Sequence, residues 1–585
     1  MSLRRTVFPL AGGLNTATPP ITLPPGYTNA CINYEAEPKG GYTRIAGYEL
    51  YDGTDSAAAV PGSGPIRGVW VYDGDLYAVR DNAGATAGVM HKAVAGGAGW
   101  STVSLGERLD FDAGELQINE GDTITGASSG ATATVDRVVV VSGLWGSANV
   151  IGTLAISSVS GTFTDGEDLW VSAVKVAEAN GTQTANTLPA GGLYSFVNNN
   201  FYGAVTTNRM YGANGVGDAF EFDGTVFVPI PLGLSVYPTL VEEFKGHLVL
   251  GFAEGSVQIS CTGEPLCYEG SLGAVEIATG DAVEDIRRMT GGVLGISCRQ
   301  SIRVLYGNDS ADFQLQTLNN FGTRGRTLTS IYNDSYVLTD QGIQLITPSQ
   351  DFGDFRSTSI SQFVENDIVT DIRGSATPLA HVSKNKDQYR LFFGRKGYYF
   401  TFDGTQPVGI MPVVYDHEVL CVVTGVDASD QEVMFFGSTD GQVFKLESGY
   451  TFNGNPINAT IQLPFQLENI GNVRKRFRRA LFNIRVTGAN PTLTMRADFK
   501  AFDFDTSGTI QSQLFQSGTG GVLWDEGDWD EVYWADAASD GQAQGRMDGV
   551  GQHVTITLFN DGTQAGLYTL YSTTLMWMPR PLLRG

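Results

Sequence analysis

Apolar residues in this chain come in short runs, many alternating with polar positions, and tight turns break them. "RRMTGGVLGIS" at Arg287–Ser297 and "TSIYNDSYVLTD" at Thr329–Asp340 each place Gly-Gly or Asn-Asp between two such runs, the local signature of a β-hairpin. The unit recurs at Val69–Val79, Tyr194–Val205, Glu242–Phe252, His381–Phe393 and Thr424–Gly437. Measured between the turns at Asn199, Gly246, Gly291, Asn333 and Asp430, the units lie roughly 42–50 residues apart, with the turn at Asn385 somewhat late. That period belongs to four-stranded blades. The pattern therefore predicts an all-β chain built on a β-propeller of about seven blades, over residues 61–104 and 184–450.

Two stretches depart from this rhythm. Residues 105–183 turn to Gly, Ser, Thr, Val and Asp, as in "INEGDTITGASSGATATVDRVVVVSG" from Ile118 to Gly143. Excising them restores the spacing between the turns at Asp73 and Asn199, so they are expected to be an inserted small β-barrel module, acting either as a docking domain or as a spacer. From residue 451 to 585 the strands lengthen, as in "RRALFNIRVTG" (Arg478–Gly488) and "GLYTLYSTTLMWMP" (Gly566–Pro579), which predicts a C-terminal β-sandwich. A single helix is expected within Arg356–Ile372, with Ile360, Phe363, Val364, Ile368 and Ile372 near 3.6 spacing and Ser357 or Ser359 as N-cap. It would serve as a subunit contact or cover a propeller edge. Residues 1–60 carry Pro19-Pro20 and Pro24-Pro25 and are expected to run extended over a surface.

In that N-terminal segment, Gly12-Gly13-Leu14, Leu23-Pro24-Pro25-Gly26, Asn33, Gly40-Gly41, Arg44 and Gly47-Tyr48 resemble the opening of the nozzle proteins of short-tailed bacteriophages, also called hub proteins or tail tubular protein B. Ser301-Ile302, Gly307, Asp312-Phe313, Gly322 and Asp340-Gln341-Gly342 are similar to the propeller of the same family, and "GDTITGASSGATATV" resembles small barrels inserted into phage structural proteins. The resemblance implies a virion protein of the tail, assembled in the host cytoplasm as a hexameric ring below the portal and adaptor proteins. Genomic DNA would leave through its channel without sequence-specific binding, and its outer surface would offer sites to fibres or spikes. The alternative is a receptor-binding propeller recognising host polysaccharide, with Tyr202, Tyr211, Tyr398 and Tyr399 as stacking platforms.

Charge narrows the picture. The 585 residues carry a net charge of −25, and a polyanion is gripped mainly by Lys and Arg, so a general affinity for nucleic acid is not expected. A pore walled by carboxylates repels a duplex from all sides and lets it slide; equally, such acidity serves solubility. Two clusters stand out. Arg474, Lys475, Arg476, Arg478 and Arg479 pack five cations into six residues, and Asp525, Glu526, Asp528, Asp530 and Glu531 sit among Trp524, Trp529 and Trp534. They are candidate complementary faces between neighbouring subunits; a solvated charge run, or DNA contact by the basic strand, are the competing readings.

No catalytic, cofactor or metal site is expected. The five histidines are far apart, and "DFDTSG" at Asp503–Gly508 starts like a calcium loop but reaches Leu514 where a bidentate Glu is needed. Neither a nucleophile elbow nor a P-loop occurs, and no carboxylate pair is singled out, so an enzyme is not expected. The five cysteines (Cys31, Cys261, Cys267, Cys298, Cys421) read as buried apolar thiols. No apolar run approaches the length of a membrane span.

Overall fold

Hairpin turns set the architecture. Asp73-Gly74, Lys245-Gly246 and Gly291-Gly292 all have positive φ at both positions, the geometry that matches the twist of the flanking strands. The computed structural model describes residues 3–580 except 55–56, 205–206, 349–354, 375–376, 405, 467–472, 489–492, 502–503, 512–514, 518–537 and 561–565. Seven antiparallel sheets follow one another along the chain, and their first strands begin at Ser63, Ser195, Leu240, Val283, Thr329, Leu379 and Val419. These seven strands stand side by side around an axis, the last against the first, which closes a seven-bladed β-propeller.

Closure is made by residues from opposite ends of the chain. The seventh blade takes three strands from Val419–Val426, Glu432–Ser438 and Val443–Leu446, and its next strand is Tyr48–Leu50, with Leu446 opposite Tyr48 and Phe444 opposite Leu50. The first blade is interrupted instead. Its outer edge consists of two fragments, Ser101–Thr102 and Leu188–Pro189, both paired with Ala87–Ala93. Between the fragments the chain leaves to form the barrel, whose six strands begin with Glu107–Gly114 and end with Val174–Ala179. Pairing of Glu107–Gly114 with Val150–Ser160 closes this barrel around its own apolar core.

The sandwich is also a product of both chain ends. One sheet joins Lys475–Gly488, Ala538–Gly551 and Gly566–Pro579 to Arg4–Pro9, Tyr34–Ala36 and Tyr42–Arg44; the other joins Thr460–Gln466, Leu493–Ala501 and His553–Asn560 to Ala30–Ile32. The N-terminal segment therefore does not lie over a surface. Tyr34, Tyr42 and Tyr48 are fully buried, and alternate short stretches add a strand to one sandwich sheet, the other, or the propeller. A single apolar cluster continues from the sandwich through Tyr34 and Tyr42 into the fifth and sixth blades.

Two further expectations about the fold need correction. The helix spans Glu365–Gly374, starting later than its pattern suggested, because Phe355–Ser359 pairs with Gly342–Pro348 as the outer strand of the fifth blade. Ser357 and Ser359 thus lie in a strand, and Val364, Ile368 and Ile372 pack into the joint between propeller and sandwich. Cysteine usage also differs: Cys261 and Cys267 form a disulfide, whereas Cys31 and Cys298 are buried thiols and Cys421 is half-buried. Among the described residues no helix is long and apolar enough to cross a membrane.

Candidate functional site: an arginine face on the sandwich

The basic run is the central strand of a sheet, so alternation divides it. Lys475 points inward and is fully buried; its Nζ donates to the Gln552 carbonyl at 3.0 Å and lies 5.6 Å from the Trp577 ring centre. The prediction that Lys475 belongs to an exposed basic face is thereby overturned. Arg476 points outward and Phe477 inward. A β-bulge between Phe477 and Arg479 then inserts one extra residue, so Arg478 and Arg479 both avoid the core before Ala480 turns in.

Register assembles the rest of the face. Residues directly opposite on paired strands project to the same side. Arg5 is opposite Met576, Met576 opposite Arg479, and Arg479 opposite Arg546, which makes one transverse row with three arginines. Arg476 lies in the next row and is paired with Asp548 at 3.0 Å. Asp548 is held below the usual carboxylate range first by its hydrogen bond from Arg476, with the charges of Arg476, Arg478 and Arg546 adding to it. Arg474 is exposed where the strand begins, and its carbonyl accepts from the Arg580 backbone N–H. Local sequence could find Arg474–Arg479; Arg5 and Arg546 are tens or hundreds of residues away and come from register alone. The acidic candidates Asp525, Glu526, Asp528, Asp530 and Glu531 lie outside the described residues.

A second charged cluster fastens the propeller to the N-terminal segment. Lys386 Nζ reaches Glu35 at 2.7 Å and Glu447 at 2.6 Å, and the fully buried Arg390 also pairs with Glu447. Arg390 lies 4.2 Å from the Tyr399 ring centre. Despite burial, which alone raises a carboxyl, the Arg390 and Lys386 charges hold Glu447 at about 2. Burial and the Arg390 charge drive His381, stacked on Phe392, down to about 3.

The propeller axis is stopped. Half-buried Arg326, ahead of the fifth blade, reaches to the carbonyls of Tyr194, Leu193 and Thr239 ahead of the second and third. The cavity left there is about 250 Å³ and is lined by residues such as Trp70, Phe196, Arg287 and Cys421. Three of the four tyrosines are closed to a sugar by burial. Tyr211, Tyr398 and Tyr399 are buried, and the more exposed Tyr202 donates to Glu221 at 2.9 Å while Arg209 covers its ring. The calcium-like stretch is strand from Phe504 to Gln511, not a loop.

No family model matches this chain, and no curated protein matches it. Among solved structures it is similar to the computationally designed Ika8 protein (TM-score 0.33, 9% identity, covering 66% of this chain and 98% of that one). It is also similar to the WD40 β-propeller domain of Doa1 (TM-score 0.31, 11% identity, 57% and 96%) and to a chain of a mitotic checkpoint complex (0.31, 10%, 58% and 92%). Likeness at this level says nothing of function.

Proposed function

We propose that this chain is a structural subunit of a short-tailed phage tail, the nozzle or hub, which assembles as a hexameric ring and leaves a channel for the genome. The supporting observation is the place taken by the residues that resemble that family. Those of the N-terminal segment cluster where propeller and sandwich meet. A Cβ on Gly13 would lie 2.5 Å from the Ile410 backbone nitrogen, and one on Gly47 2.1 Å from the Thr451 carbonyl. Asn33, in the left-handed region, donates to the Asn458 carbonyl at 2.8 Å and accepts from the Val414 N–H at 2.8 Å. The Arg44 side chain is buried and donates to the Tyr450 carbonyl at 2.8 Å. A resemblance at such positions concerns one particular way of joining two domains, which is more specific than a propeller alone.

Two further features agree with a load-bearing ring subunit. Propeller and sandwich share one continuous core, so they resist hinging. Arg326 crosses the propeller axis, which supports a reading in which the duplex passes between copies and not through one. The acidity of −25 per chain then suits a lumen that repels DNA evenly. Mixing the pure protein with a portal–adaptor complex and imaging the product tests the proposal. A sixfold ring below the adaptor is expected; a small free oligomer that binds host cells would instead establish the receptor reading.

A further inference from the structure

We infer that the arginine face of the sandwich docks a second copy of this chain through that copy's acidic, tryptophan-bearing stretch Trp524–Trp534. The inference deepens the ring proposed above and rests on it for the closed geometry. Three observations carry it, and the first is electrostatic. In a chain with 62 acidic and 37 basic residues, Arg5, Arg476, Arg478, Arg479 and Arg546 share one sheet face, and Asp548 is the carboxylate that meets them among the described residues. Arg479 directly faces Arg546, an arrangement that destabilises an isolated copy and is relieved when carboxylates arrive.

The second is the apolar content of the same face. Next to the row of Arg5, the buried Met576 and Arg479, the neighbouring row carries Val7, 59% exposed, with half-buried Leu481. A phosphate backbone has no use for such side chains. Tryptophan rings do, since they cover apolar surface and stack on guanidinium planes. Trp524–Trp534 alternates three tryptophans with five carboxylates, which matches the face in both respects.

The third is direction. The acidic stretch belongs to the connection from Phe515–Ser517 to Ala538–Gly551. Ser517 is opposite Gln542 and Phe515 opposite Gln544, so the chain leaves heading away from Arg546. It returns at Ala538, eight residues from Arg546 and thus ~27 Å from it along the strand. Both anchors of the acidic connection therefore lie on the Ala538 side of Arg546. A contact of the arginine face of one copy with the acidic connection of the next is of the heterologous type that closes rings.

Charge swapping tests this, with sedimentation and mass photometry at low and high salt as readouts. Wild type is expected to self-associate in a salt-sensitive way. Arg479→Glu/Arg546→Glu and Asp525→Lys/Asp528→Lys should each weaken association about tenfold or more, and the two pairs combined in one chain should recover most of it. Arg479→Gln/Arg546→Gln, which avoids reversing charge within the sheet, should weaken it in the same direction if the reversed variant folds poorly. A wild type that stays monomeric, association indifferent to these pairs, or no recovery in the swap would overturn the inference. So would cross-links between the two clusters within one copy, or variants that lose retention of duplex DNA with self-association unchanged. Rings that still form on the portal–adaptor complex with the face reversed would remove this contact and leave the nozzle reading standing; failure of wild type to form them removes the nozzle reading, while the swap still judges the contact.

Discussion

The seventh blade and the inserted barrel solve the same problem, closing a sheet, in opposite ways. The blade borrows Tyr48–Leu50 from nearly four hundred residues upstream, and Glu447 at its end shares Lys386 with Glu35. The barrel closes on strands within its own span, and its core is drawn from its own residues. Its entry and exit are neighbours as well: Glu107 is opposite Ala185, and the Asn186 N–H donates to the Gly106 carbonyl at 3.0 Å. A region closed by distant residues stands or falls with the whole chain, whereas one closed by local residues is separable.

The largest effect is expected from Tyr48→Ala. The ring is fully buried, stacked 4.8 Å from Phe452 and edge-on to Phe436 and Phe444 at 5.0 Å, with its hydroxyl 2.9 Å from His417 Nδ1. Truncation should cost about 3–5 kcal/mol, since the cavity cannot collapse between two rigid sheets. Hydrogen exchange should rise across Val419–Leu446 and stay unchanged in the barrel. A uniform rise over both regions would break the contrast.

Glu447→Gln comes next. It leaves the Arg390 guanidinium buried with Glu35 4.0 Å away, and losing one partner of a buried pair costs about 3–5 kcal/mol. The pH dependence has a definite sign. Glu447 is depressed from 4.5 to about 2, so its contribution is complete above 4.5 and is lost as pH falls through 2. His381 is depressed from 6.5 to about 3; the unfolded chain takes up that proton first, so stability falls as pH drops from 6.5 toward 3. Buried Asp285, raised to about 6 by desolvation, acts in the opposite sense between 6 and 3.8. Denaturation of wild type and His381→Phe over this range should show the histidine slope vanish in the variant, and parallel curves would remove the assignment.

Sequence reading succeeded where structure is local. The turns at Asp73-Gly74 and Gly291-Gly292 announce hairpins because few other residues tolerate their backbone angles, and their spacing announces the blades. It failed where distant residues meet. Nothing near Tyr48 tells that its partner strand is Val443–Leu446, and nothing near Arg5 tells that it shares a row with Arg479 and Arg546. Lys475 is buried although its run of basic residues hides strand alternation, and the bulge at Arg478 has no local signal. The helix starts later than its periodicity predicts for a related reason: Phe355–Ser359 is the fourth strand of the fifth blade.

Excising the barrel should have the smallest effect. Joining residue 105 to residue 187 through two glycines asks little of a backbone whose ends already share a hydrogen bond. What disappears is the contact of Val139 and Ala155 with Val228, and the pairing of Arg137 with Glu221 at 3.4 Å and Asp223 at 3.1 Å. Neither carboxylate is orphaned: Arg209 still meets both, and Tyr202 and Tyr211 still donate to Glu221. Losing one small apolar contact and an ion pair that becomes solvated should cost about 1–2 kcal/mol. The shortened protein should melt within a few degrees of wild type, and the barrel expressed alone should melt cooperatively. Within the barrel, Glu167 accepts from the backbone N–H groups of Thr164, Ser128 and Ser129, which hold it near 2 against the effect of burial. Glu167→Gln should therefore lower the barrel's melting point and leave that of the shortened propeller untouched, because the residue is absent from it. Failure of the shortened chain to fold would mean that the interrupted blade depends on its insertion as much as the seventh depends on Tyr48.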